Sequence, residues 1–171
     1  EQQKLAANFD NFIAQFLDAE VDYQIGVTTT DMSDETQSGR LVGETKIITS
    51  DIPIDDARIL FQNNVKVCAQ GSGFERGLAA AEAALTTHAD GANAGFLRPD
   101  AALSVVIVSD EEDGSGKSVG EYLTTIKGVK GAAGYRDDTL VNISSVVGDP
   151  PSGCEQPPPV APNCTDGIDN E

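Results

Sequence analysis

Residues 104–114 read S-V-V-I-V-S-D-E-E-D-G. Val105, Val106, Ile107 and Val108 form an unbroken β-branched block that stops on Asp110. A short continuous apolar run of this kind is how a strand covered on both faces reads, and such strands belong to parallel sheets flanked by helices. Ligands of open α/β sheets bind beyond the carboxyl ends of the strands. Asp110, followed by Glu111, Glu112 and Asp113, stands at that end.

The flanking sequence alternates helical and strand patterns. Leu5, Phe9, Phe12, Ile13, Phe16 and Leu17 recur on one helical face and predict a helix over residues 3–18. Val21, Tyr23, Ile25 and Val27 alternate with polar residues or glycine, predicting a strand over 21–28. Short strands are expected at 45–49 and 65–67, with a helix between them over 55–63. An alanine-rich helix is expected over 75–86, a strand over 103–109, an amphipathic helix from Val119 to Val129, and a last strand over 140–147. This order predicts an α/β fold, doubly wound, with a mostly parallel sheet between helices. Residues 1–150 form the expected domain, and the Pro- and Asp-rich residues 151–171 an irregular tail. The chain opens inside a helical pattern, without Met or a signal peptide, and closes on acids, which reads as a piece cut at both ends.

Composition narrows the partners. The 171 residues carry a formal charge of −17, which disfavours nucleic-acid backbones and anionic membrane surfaces. No run is long and apolar enough for a membrane span. Cys154 and Cys164 flank a proline-rich stretch and could close a small ring in an oxidising compartment, with Cys68 left over. The pairing of the three stays open.

Several stretches imitate nucleotide sites. Gly114–Ser118 (G-S-G-K-S) resembles the end of a P-loop, but Glu111 stands where the first glycine belongs. Gly71, Gly73 and Gly77 imitate a dinucleotide fingerprint, but Asp110 is too distant to be its ribose acid, and Glu75 would crowd a pyrophosphate. Asp31-Met32-Ser33-Asp34-Glu35 half-matches a metal loop and reads better as a polar turn. Glu75 reads as an acid in the first turn of its helix. His88, the single histidine, has no catalytic partners in view and reads as structural or solvent-exposed. Asn142 begins an N-x-S acceptor pattern, but its predicted strand is buried.

For a hard cation, which takes oxygen ligands, the candidates are the Asp110 carboxylate and the Ser72 hydroxyl. Glu112 and Asp113 could rim the same site. Asp166 and Asp169 in C-T-D-G-I-D-N-E have oxygen-ligand spacing of their own and resemble acidic repeats of secreted bacterial proteins.

The ordered set V-D-Y-Q-I-G-V-T-T-T-D (21–31), G-S-G-F-E-R-G-L (71–78), S-V-V-I-V-S-D-E-E-D (104–113), Y-L-T-T-I-K (122–127) and L-V-N-I-S-S-V-V-G (140–148) resembles a von Willebrand factor A domain of the bacterial secreted or cell-surface type. The resemblance covers residues 1–150. It implies a doubly wound sheet and a metal-ion-dependent adhesion site built from three loops. The third loop's Asp matches Asp110. The second loop's Thr position matches Ser72, which keeps the hydroxyl. The first loop, D-x-S-x-S, and its strand have no counterpart and would precede Glu1. The resemblance thus implies a protein-binding module, not an enzyme, outside the cytoplasm, that takes Mg²⁺ or Ca²⁺, only weakly or not at all with these residues alone. A partner's carboxylate would complete the coordination. The alternatives are a nucleotide- or dinucleotide-binding enzyme domain using the same crevice, and a metal-free scaffold.

Overall fold

The computed structural model describes residues 21–66, 74–109, 111–130 and 138–147. The expected helix over 3–18, all three cysteines and the tail lie outside the described residues. The described part is mixed α/β. Its elements are β1 (Gln24–Ile25), β2 (Ile48–Thr49), α1 (Ile54–Val65), α2 (Gly77–Leu85), β3 (Leu103–Val108), α3 (Val119–Lys127), a 3-10 turn (Asp138–Leu140) and β4 (Val141–Val146). Two small hydrophobic cores result, one around β1, β2 and α1, the other around α2, α3, β3 and β4.

In the first unit β1 pairs with β2 antiparallel, Gln24 opposite Thr49 and Ile25 opposite Ile48. The expected mostly parallel sheet is corrected at this pair. The alternation expected over 21–28 holds on its inner side from Tyr23 to Val27, whereas Val21 is exposed. Tyr23 is buried, Ile25 and Val27 pack beside it, and all face Ile48, Ala57, Phe61 and Val65. The ladder shrinks to two residues because the partner chain leaves it. Val42 N–H still donates to Val27 O at 2.9 Å and Ser50 N–H to Tyr23 O at 3.1 Å. Between them the chain swings out to Asn64, whose Nδ2 donates to Thr45 O at 2.9 Å. Gly43 makes that swing possible: its φ is +97°, and a Cβ there would lie 1.8 Å from Asn64 Oδ1.

Helix α1 starts after Pro53, with Asp55 and Asp56 in the first turn where the helix dipole favours negative charge. It continues to Val65, which corrects the strand expected from that residue. Ala57, Phe61 and Val65 recur every fourth residue and line one buried stripe. Burying Phe61 and Val65 is worth about 1.5–3 kcal/mol each.

In the second unit β3 and β4 are parallel and in register from Leu103–Val141 to Val108–Val146, and α3 lies between them in sequence. Helices α2 and α3 cover one side through Ala81, Leu85, Tyr122 and Ile126, which pack on Leu103 and Val141. Gly77 lets α2 approach β3, since a Cβ would meet Ile107 Cγ2 at 2.7 Å. The other side of the pair is not closed: Val106 is 46% exposed and Val146 59%. The expectation of a strand covered on both faces is therefore corrected, because among the described residues α2 and α3 join a core on one face only. Asn142 lies on the open side and is exposed, which corrects its expected burial. Its Oδ1 accepts from Ser144 Oγ at 3.1 Å.

Candidate functional site

Of the residues expected to bind metal, Asp110, Ser72, Asp166 and Asp169 lie outside the described residues. Glu112 and Asp113 are described and exposed. Asp113 Oδ1 accepts from Ser115 Oγ at 2.7 Å and from Ser115 N–H at 3.2 Å. That makes Asp113 a turn-forming side chain.

The loops beside the carboxyl end of β3 converge. Residues 28–31, which follow β1, reach the start of α2, where Arg76 N–H donates to Thr30 O at 3.0 Å. The start of α2 in turn meets the loop after β3, where Gly114 N–H donates to Glu75 O at 2.7 Å. Ser109 Oγ donates to Glu75 Oε2. Ser115 Oγ accepts from Ala79 N–H at 3.0 Å. Arg76, the N-cap of α2, offers no side-chain cap, so a serine 36 residues beyond Ala79 takes up an amide that the helix start leaves open.

Three oxygen-bearing side chains at this edge were not singled out as site residues by sequence reasoning. Glu75 was expected in the first turn of its helix, but α2 begins at Gly77; its carboxylate faces the end of β3 instead. Ser109 was absorbed into a strand, yet it is 7% exposed with its hydroxyl engaged. Asp31 was read as part of a polar turn, and that holds. Its Oδ1 accepts from Ser33 N–H at 2.7 Å and Ser33 Oγ at 2.6 Å. It is nonetheless only 8% exposed, and burying a carboxylate is costly unless its oxygens are bonded. A repeat of the same turn follows. Asp34 Oδ1 accepts from Thr36 N–H and Oγ1, and these bonds, the hydroxyl's first, hold the exposed Asp34 carboxyl below its ordinary range.

The P-loop imitation is used structurally. Lys117 Nζ lies 2.6 and 2.8 Å from the Glu82 oxygens and 5.2 Å from the Tyr122 ring centre. The Glu82 hydrogen bond holds the lysine protonated to higher pH than usual. Ser118 caps α3 in a reciprocal box with Glu121. A lysine and a serine so engaged offer little to a phosphate. His88 Nε2 lies 3.1 Å from Ser38 O; a carbonyl only accepts, so this nitrogen carries the proton.

The donors at the strand-end edge are carboxylates and hydroxyls, the chemistry of a hard cation. Among the described residues, however, no group of three or more His, Cys, Asp or Glu is placed to hold a metal ion. These side chains do not form a cation cage by themselves. No family model, curated protein or solved structure matches the chain. Among the described residues no helix is long and apolar enough to cross a membrane.

Proposed function

We propose that this chain is a von Willebrand factor A-type binding module with a doubly wound sheet, working outside the cytoplasm. Its strand-end edge presents Mg²⁺ or Ca²⁺ through Asp110, with Ser72 on the opposite side and Glu112 and Asp113 at the rim. A protein partner supplies a carboxylate, and the chemistry is reversible ligation with no covalent step. One observation supports this reading above the others: the loops before α2 and after β3 meet at the carboxyl end of β3, joined through Glu75, Ser109 and Gly114. In the sequence Ser72 stands three residues before Glu75, and Asp110 directly follows Ser109. Parallel pairing of β3 with β4 supports the fold half of the reading.

Calorimetry with MgCl₂ and CaCl₂ on the full native polypeptide, against Asp110→Ala, tests it. The expected result is binding that Asp110→Ala abolishes. Equal heats for both proteins reject the assignment, and heats absent from both favour a metal-free scaffold. A nucleotide-binding enzyme is the reading left if ATP or NAD raises the melting temperature and divalent ions do not.

A further inference from the structure

Strand β4 pairs with β3 along one edge, and among the described residues nothing pairs with its other edge. The register tells which backbone groups that edge presents. Val146 stands opposite Val108, and its carbonyl accepts from Ser109 N–H at 3.2 Å. In a parallel ladder a residue bonded to the neighbouring strand turns both its N–H and its C=O that way, and the residues before and after it turn theirs away. Ser144 and Val146 therefore face β3, while Ile143 and Ser145 hold their N–H and C=O groups outward. Among the described residues these outward groups find no partner. The surroundings are open as well. Residues 144–147 are exposed without a break, although successive side chains of a strand point to opposite faces, so neither face covers this edge. Free edges are usually blunted by charge, proline or a bulge. Residues 140–147, L-V-N-I-S-S-V-V, carry no charge, no Pro and no Gly, and β4 keeps its register with β3 from Val141 to Val146.

We propose that the outer edge of β4 is a docking surface for an extended segment of another protein, which joins the sheet beside β4 by hydrogen bonding to Ile143 and Ser145. The incoming strand is uncharged where it pairs and basic at its flanks. Its paired part lies along a run that offers no charge to meet one. Its flanks follow from the surroundings: the ladder ends at Val108 and Val146, the exposed acids Glu112 and Asp113 stand on the loop beyond β3, and the whole chain carries 28 acids against 11 bases. A second copy brings the same acids and is repelled, whereas lysines and arginines are drawn in. The bonds come from the backbone, so this surface works without a cation and is independent of the strand-end site.

The test uses the full native polypeptide at low ionic strength, with the synthetic peptide Lys-Lys-Thr-Val-Thr-Val-Thr-Val-Lys-Lys as probe. Amide hydrogen exchange is the first readout. Without peptide, Ser144 and Val146 should exchange slowly and Ile143 and Ser145 fast. With peptide, Ile143 and Ser145 should slow by about tenfold, the gain of one hydrogen bond each. Calorimetry is the second readout. Affinity should fall as NaCl is raised, and the same peptide with Glu for every Lys, or N-methylated through its core, should not bind. Ser145→Pro removes an outward N–H that the fold does not use, and an edge strand tolerates proline at such a place. It should leave Ser144 slow and weaken the peptide about tenfold. If Ser145→Pro does not fold, the N-methylated peptide makes the same cut from the other partner. Unchanged exchange at Ile143 and Ser145, or equal binding of the N-methylated peptide, overturns the proposal. Slow exchange at both residues before any peptide is added overturns it too. Where that protection is independent of protein concentration, a strand of the same polypeptide holds the edge, and where it grows with concentration, a second copy does.

Discussion

The two ends of α2 are fastened in opposite ways. At the carboxyl end, Asn93 is 3% exposed and every bond of its amide goes to backbone. Its Oδ1 accepts from Leu41 N–H at 2.9 Å, and its Nδ2 donates to Gly39 O at 2.9 Å and Ala84 O at 3.0 Å. At the amino end the fasteners are Glu75, Ser109 and Ser115, and the neighbouring loop carries exposed acids. The segment 28–41 touches both ends, at Thr30 and at Gly39. A neutral amide with all its partners buried has nothing left to offer a ligand, whereas a carboxylate on a hydroxyl can exchange partners. If the proposed binding role holds, stability and binding fall at different ends of one helix.

The largest expected effect comes from cutting the buried end. Asn93→Ala strands one amide and two carbonyls in the interior and should cost about 2–4 kcal/mol, measured by urea unfolding. A loss below about 0.5 kcal/mol, the scale of a neutral surface change, would break the contrast between the two ends. Gly39→Ala should follow at about 2–3 kcal/mol, because φ is +84° and the new Cβ would lie 2.8 Å from Ala80 O. Ser109→Ala at the other end should cost only about 1 kcal/mol of global stability, although it frees the loop after β3. If it costs as much as Asn93→Ala, the amino end is structural too.

The smallest effect is a pH dependence near α3. The Ser118 hydroxyl, then its amide, hold the Glu121 carboxyl below its ordinary value of 4.5. A carboxyl lowered on folding contributes stability above its ordinary value and loses it as pH falls through the lowered one. The first turn of α3 should therefore fray below about pH 4.5, read by the exchange of the Glu121 and Tyr122 amides, while the Asn93 contacts, which carry no charge, hold.

Elements with an uninterrupted pattern were legible in the sequence. The stripe Val119, Tyr122, Ile126 marked α3, and the β-branched run marked β3. What failed lay at the end of an element or depended on a partner distant in the chain. Val65 reads as a strand residue until Phe61 and Ala57 are seen on the same stripe. Glu75 reads as a helix residue because no local signal shows that α2 starts only at Gly77, with its cap borrowed from Ser115. Asn93 stands among glycines and small polar residues, the composition of a solvated loop, and only the approach of Gly39 and Leu41 makes it core. For the site, Glu112 and Asp113 stand on an exposed loop, while Asp110 and Ser72 fall outside the described residues.

The open side of β3 and β4 bears on how copies of this molecule meet in solution. Val106 and Val146 are exposed on that side, and contact between two such faces would bring two chains of charge −17 together. Mutual repulsion keeps them apart at low ionic strength. Added salt shortens its reach to about 3 Å at 1 M, so brine should encourage clumping that dilution reverses, with sedimentation tracking the change.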